Sequence, residues 1–136
     1  MKSFYTLPSG TIITARIHKS LLLHRAIVFR NNGQLLLLHN TAKEQNEWGG
    51  NIIIDTPERF FASRTLLTCK PTTLTDAEIM AKYEQLKCRK FNAITFNCEH
   101  FISLVSAGKR HSPQLLFWSV SLTVVCLLTG KKIFNQ

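Results

Sequence analysis

The sequence predicts an α+β fold: an antiparallel β-sheet packed with helices, with a C-terminal hydrophobic helix appended. Three observations lead there. Short apolar runs rich in β-branched residues fill the first half of the chain. Two helix-start signals and a glycine stop follow, and an uncharged apolar run lies near the C-terminus. A chain of 136 residues fits one compact domain with a short appendage. The expected division is a domain over residues 1–108 and a separate segment over residues 109–136.

The elements follow in order. Pro8-Ser9-Gly10 reads as a turn, and Thr11-Ile12-Ile13-Thr14-Ala15-Arg16-Ile17 as a strand. His24-Arg25-Ala26-Ile27-Val28-Phe29-Arg30 and Gln34-Leu35-Leu36-Leu37-Leu38-His39 flank Asn31-Asn32-Gly33. Asn-Gly between two apolar runs is the strongest short-range hairpin signal. Both runs are apolar at nearly every position, so both faces of this hairpin should be covered. Residues 51–55 form a further short strand. Thr56-Pro57 then opens a short helix, with Thr as N-cap and Pro at the first helical position. Residues 64–70 are another strand, closed by Pro71. Thr75-Asp76-Ala77-Glu78 is a capping box that begins a helix reaching about Cys88, with Ile79, Tyr83 and Leu86 on one face. Residues 91–96 read as a strand or an extended lead-in. A last helix runs from about Cys98 to Ala107, stopped by Gly108. Strands first and helices after them fit an antiparallel sheet with helices laid against it.

Composition narrows the function. The chain is 45% hydrophobic and 18% charged, which argues against disorder. Its formal charge is +9. Residues 1–108 hold 13 Lys and Arg against 8 Asp and Glu, whereas residues 109–136 hold four basic residues and no acid. The excess is densest around the C-terminal apolar run, where it favours anionic headgroups. No compact Lys/Arg stripe with interleaved aromatics is present, so nucleic acid is not an expected partner. Cys69, Cys88, Cys98 and Cys126 form no C-x-x-C pair, so neither a metal nor a cofactor is expected. Residues 1–8 lack the apolar stretch of a secretory signal. The thiols are therefore expected to be reduced and the domain to face the cytoplasm.

Residues 115–129 carry no charge, follow Pro113, and have basic residues on both flanks. A helix of this length covers about 22 Å, short of the roughly 20 residues a bilayer core wants. Snorkelling lysines and local thinning close that gap. A buried core helix is the competing reading. The run has no polar face and follows a domain that looks complete, so a single C-terminal membrane anchor is preferred.

Asn97-Cys98-Glu99-His100-Phe101 places Cys98 at the start of a helix. Free backbone N–H groups and the dipole there lower a thiol pKa, and the same N–H groups can hold an oxyanion. A lone helix-start cysteine is more often an inert buried thiol. The histidines shift that balance. If Asn32 and Gly33 are the central turn residues, Asn31 faces Gln34 and His24 faces Thr41. His39 is then a diagonal neighbour of His24 on the same face, about 7–8 Å away. A base and its orienting partner can point from that face at one site. His100, two positions beyond Cys98 on the helix, points away from it. His18 and His111 look like loop residues.

At these residues the sequence resembles a known family. Asn97-Cys98-Glu99-His100-Phe101 is similar to the signature of lecithin:retinol acyltransferase-like proteins, which include the HRAS-like-suppressor phospholipases and acyltransferases. His24-Arg25-Ala26-Ile27-Val28 resembles the family's His-x-Ala-Ile segment. His39 falls where the family carries its second histidine, Pro8-x-Gly10 resembles the loop at the domain's start, and the apolar tail resembles the anchor of many members. The resemblance implies a circularly permuted, papain-like (NlpC-type) fold. It also implies Cys98 as nucleophile, His24 as general base and His39 as the orienting group. The implied reaction takes an acyl group from a phospholipid onto cysteine and passes it to water, an amine or an alcohol. Val28-Phe29-Arg30 departs from the usual Tyr-Val-Gly, and residues 41–71 are short for the family. The implied protein is membrane-associated, with its catalytic domain cytoplasmic. Two other readings compete. One is a cysteine amidase or peptidase of the wider superfamily. The other is a non-catalytic, membrane-tethered interaction module.

Overall fold

The computed structural model describes residues 4–108, 117–121, 123 and 124. It is a mixed α+β structure with a five-stranded antiparallel sheet packed with helices. The strands are β1 (Ile12–Ile17), β2 (Leu23–Asn31), β3 (Gln34–Asn40), β4 (Ile52–Asp55) and β5 (Arg64–Lys70), in sheet order β4-β3-β2-β1-β5. The helices are α1 (Pro57–Phe61), α2 (Asp76–Leu86) and α3 (Cys98–Ala107). A 3-10 turn at Phe4–Thr6 precedes β1.

The β2–β3 hairpin takes the expected register, with Asn31 facing Gln34 and Ile27 facing Leu38. Asn32 and Gly33 both adopt positive φ, 49° and 77°. A type I′ turn requires that, and its twist matches the flanking strands. The continuous apolar runs are explained by coverage on both faces. Ile27, Phe29 and Leu38 join Ile79, Tyr83, Phe101, Ile102 and Val105 of α2 and α3 in one core. Ala26, Val28, Leu35 and Leu37 point the other way and pack with Phe4 and with Phe60 of α1. The period-2 alternation of a strand divides the same run between two cores.

The helix starts behave as their sequences direct. The Thr56 side chain caps α1, and Pro57 occupies its first turn. Thr75 and Glu78 form the reciprocal capping box of α2, and the Asp76 carboxylate also accepts the Arg30 backbone N–H at 2.8 Å, tying α2 to the end of β2. Residues 91–96 are not a strand; Asn92 and Phe96 form an isolated bridge that closes a turn just before α3. Asn40, at the end of β3, donates from Nδ2 to the Phe96 carbonyl at 2.8 Å. That bond pins the entry to α3 against the sheet.

The expected helix over residues 115–129 lies largely outside the described residues. Within it, residues 117–121, 123 and 124 are helical. Among the described residues no helix is long and apolar enough to cross a membrane.

The loop between β3 and β4 carries a tight backbone contact. A Cβ at Gly50 would lie 1.8 Å from the Lys87 carbonyl oxygen and 2.9 Å from that of Arg89. Both obstacles are backbone, so the chain itself must move. Gly50→Ala is expected to cost about 1–3 kcal/mol, the usual range for overpacking, and to lower the melting temperature by several degrees. Thermal unfolding of the variant checks this; an unchanged transition would show that the loop yields freely.

Candidate active site

Strand parity brings His24, His39 and Asp55 onto one face. His24 lies on the Ala26–Val28 side of β2, and His39 on the Leu35–Leu37 side of β3. Both therefore face α1, where the Phe60 ring lies 5.6 Å from the His24 ring and 5.1 Å from the His39 ring, centroid to centroid. Asp55 ends β4, opposite Leu37. The three polar side chains form a buried chain. His24 Nε2 lies 2.9 Å from His39 Nδ1, and His39 Nε2 lies 2.8 Å from Asp55 Oδ2. Arg59 of α1 approaches the other carboxylate oxygen at 3.3 Å and pairs on its far side with Glu44.

This chain assigns its own protons. A carboxylate only accepts, so His39 donates from Nε2 to Asp55. The neutral His39 ring then accepts at Nδ1, and His24 donates to it from Nε2. His24 Nδ1 is left with a lone pair. Burial drives the His24 pKa well below 6.5, and the charges of His39, Arg64 and Lys43 push the same way. Burial also lowers His39, against the opposing hydrogen bond and charge of Asp55. For Asp55, burial would raise the pKa, but the His39 hydrogen bond and the Arg59 and Arg64 charges together outweigh it and hold the carboxyl below its ordinary 3.8. At neutral pH the arrangement is two neutral imidazoles ending on a carboxylate.

Cys98 reaches this region from α3. The β2–β3 pairing stops at Ile27–Leu38, short of residues 23–25. Cys98 docks there: its thiol donates to the Leu23 carbonyl at 3.9 Å, and the Arg25 backbone N–H faces the sulfur. Cys98 and His24 line the same pocket, of about 330 Å³, with Leu22, Leu23, Phe91 and Ala93 on its apolar wall and Trp118 at its edge. The first-turn N–H groups of α3 have another task. Asn97 Oδ1 accepts those of Glu99 and His100, each at 3.0 Å, and His100 Nδ1 accepts the Asn97 N–H at 3.3 Å.

Two effects of the helix start are limited here. It does not by itself set the state of the Cys98 thiol. Burial raises its pKa above the ordinary 9.0, and the Arg25 and Glu99 backbone N–H groups offset that only in part. Nor are the α3 N–H groups open for an oxyanion as a set, because the Asn97 cap takes two of them. His100 serves the cap. His18 bonds Thr65 through Nε2 at 3.0 Å from an exposed turn, and His111 lies outside the described residues. Cys69 and Cys88 are exposed free thiols; Cys126 lies outside the described residues.

Asp55 and Arg64 were missed by sequence reasoning. The only cue to Asp55 was an acid at the end of an apolar Ile-Ile-Ile strand, and its face depends on the β3–β4 register. Among the described residues, no group of three or more His, Cys, Asp and Glu side chains forms a metal site.

The buried imidazoles make stability depend on pH. Their folded pKa values lie below 6.5, so the unfolded chain takes up more protons once the pH falls past that value. Their contribution is fully present above about pH 6.5 and is lost as the pH falls. Asp55, also lowered, adds a loss of the same sign at still lower pH. The melting temperature is expected to fall steadily between about pH 7 and pH 5. A flat profile over that interval would mean that both histidines titrate normally.

No family model, no curated protein and no solved structure matches this chain.

Proposed function

We propose that this chain is a thiol-dependent acyltransferase or phospholipase A of the lecithin:retinol acyltransferase-like kind, with a circularly permuted papain-like fold, acting on phospholipid acyl esters through a thioester on Cys98. The observation that carries the reading is the buried Asp55–His39–His24 chain, which ends on a free imidazole lone pair in the same pocket as a thiol. An inert core cysteine has no use for such an array. The resemblance of residues 97–101 and 24–28 to the family supports the choice of reaction.

The geometry favours general-base activation over a preformed thiolate–imidazolium pair. Burial keeps Cys98 protonated and His24 neutral, so the proton moves as the bond forms. His24 Nδ1 takes the Sγ proton while sulfur attacks the acyl carbonyl carbon. The new imidazolium strengthens its bond to His39, and Asp55 balances the charge. The tetrahedral intermediate expels the glyceryl oxygen, which takes the proton back from His24 and leaves as the lysophospholipid alcohol. Water, an amine or an alcohol then attacks the thioester with His24 again as base. The 3.9 Å thiol contact to Leu23 is long, so little holds the proton away from His24. Residues 109–136 are proposed to anchor the protein to a membrane, with the catalytic domain on the cytoplasmic side.

The test is mass spectrometry of the full chain after brief incubation with mixed phospholipids. An acyl adduct on Cys98 is the expected result. An adduct from a peptide or amide donor and none from lipid moves the enzyme to the amidase class, and no adduct from any donor favours a tethered interaction module.

A further inference from the structure

The pocket beside Cys98 has a mainly apolar wall, two cations and no carboxylate among its lining residues. The cations are Lys43, exposed at the rim, and Arg64, half-buried at the start of β5. Arg64 is held firmly. Its Nη1 donates to the Phe60 carbonyl at 2.8 Å, and its guanidinium carbon lies 4.6 Å from the centre of the Phe60 ring.

Its charge is not balanced in the same way. Among the described residues no carboxylate forms an ion pair with it. Its Nε is buried with no hydrogen-bond acceptor. The neighbouring acids are engaged elsewhere, Asp55 with His39 and Arg59, and Glu44 with Arg59. The Asp55 and Glu44 charges still act on Arg64 from a distance, but a half-buried guanidinium with an unsatisfied N–H and no direct ion pair is costly. Here it borders a pocket that also holds the thiol, and guanidinium is the side chain best matched to phosphate.

We propose that Arg64, assisted by Lys43, is the anion-binding and specificity-determining side chain of this pocket, taking the phosphate of an acyl donor whose chain lies along the apolar wall. The proposal rests on the acyl-transfer reading for its use, but not for the binding itself. Phe60 links the two parts of the site, since its ring packs on both histidines while its carbonyl and ring fix Arg64. An acyl ester carrying a phosphate would thus be positioned against Cys98 by the same element that supports the base.

The test has a binding arm and a rate arm, both on the full chain. In the first, Cys98→Ala protein is titrated with n-octyl phosphate, n-octanol and inorganic phosphate. Octyl phosphate should bind tightest, and adding Arg64→Gln should weaken it on the order of 10- to 100-fold, the loss expected for a charge-assisted hydrogen bond. Arg64→Lys should restore part of the affinity, and Lys43→Gln should cost less than Arg64→Gln. Inorganic phosphate binding as tightly as octyl phosphate would overturn the lipid assignment, and octyl phosphate binding that ignores Arg64 would overturn the site.

In the rate arm, Cys98 is acylated from a phospholipid and from a p-nitrophenyl ester of the same chain. The ratio of kcat/KM, phospholipid over nitrophenyl ester, should fall on the order of tenfold or more in Arg64→Gln. An unchanged ratio, with both rates reduced alike, would mean that Arg64 serves the thiol or the fold. Adduct formation with Arg64-independent binding and ratio defeats this proposal alone. Arg64-dependent octyl phosphate binding without any adduct keeps the anion site and defeats the acyl-transfer reading.

Discussion

Cys98→Ala is expected to remove the covalent acyl adduct completely while the protein still unfolds cooperatively. The mechanism stores the acyl group on one sulfur, and no other side chain in the pocket is placed to replace it. Thr41 and Ser63 line the pocket, but neither appears in the hydrogen-bonded chain that reaches His24. A hydroxyl is also a much weaker nucleophile than a thiol near neutral pH. The fold should tolerate the change, because the α3 start is held by the Asn97 cap and by the Asn40 bond to Phe96, not by the sulfur. Cys69→Ser and Cys88→Ser should be silent, since both thiols are exposed and free. Intact-mass measurement after phospholipid treatment reads all of this directly. Full adduct formation in Cys98→Ala, or an adduct mapped to Cys69 or Cys88, would sink the mechanism.

His24→Ala is expected to lower the acylation rate by about 10²–10⁴, or about 3–5 kcal/mol of barrier. The size follows from the state of the thiol. A cysteine that rested as thiolate would lose little without its base, whereas burial keeps Cys98 protonated. Asp55→Asn should lose less. The amide oxygen can still accept from His39 Nε2 and keep the tautomers, but it carries no charge to balance the imidazolium. The acid limb of kcat/KM supplies a second readout. In the wild type it should lie below pH 6.5, because His24 stays neutral down to its lowered pKa. In Asp55→Asn it should move lower still, since the lost carboxylate favoured the protonated form. Single-turnover acylation across pH measures both quantities. An acid limb at or above 6.5 in the wild type would mean that His24 is not the neutral base described here.

Much of the architecture was legible because it depends on neighbours in sequence. Asn32-Gly33 selected the turn, and the turn set the register that brings His24 beside His39. Thr56-Pro57, Thr75 to Glu78 and Asn97 started their helices through bonds spanning three residues or fewer. Alternation within Ala26 to Phe29 fed two cores, which is why both strands read as apolar throughout.

What lay beyond the sequence depends on contacts distant in the chain. Asp55 joins the histidines only because β4 pairs with β3 in the register that sets Asp55 opposite Leu37 and His39 opposite Ile53. Arg64 reaches the pocket only because β5 returns to the far edge of the sheet beside β1. The state of Cys98 was likewise settled by tertiary structure. A helix start by itself favours thiolate, but here the sulfur is docked against Leu23 and Arg25 of β2 and largely buried, and desolvation outweighs the helix. The sequence by itself therefore determined which residues meet across one hairpin and where the helices begin. Packing decided which charges surround them, because burial and distant strand pairing, unlike turns and caps, are not encoded within a few residues.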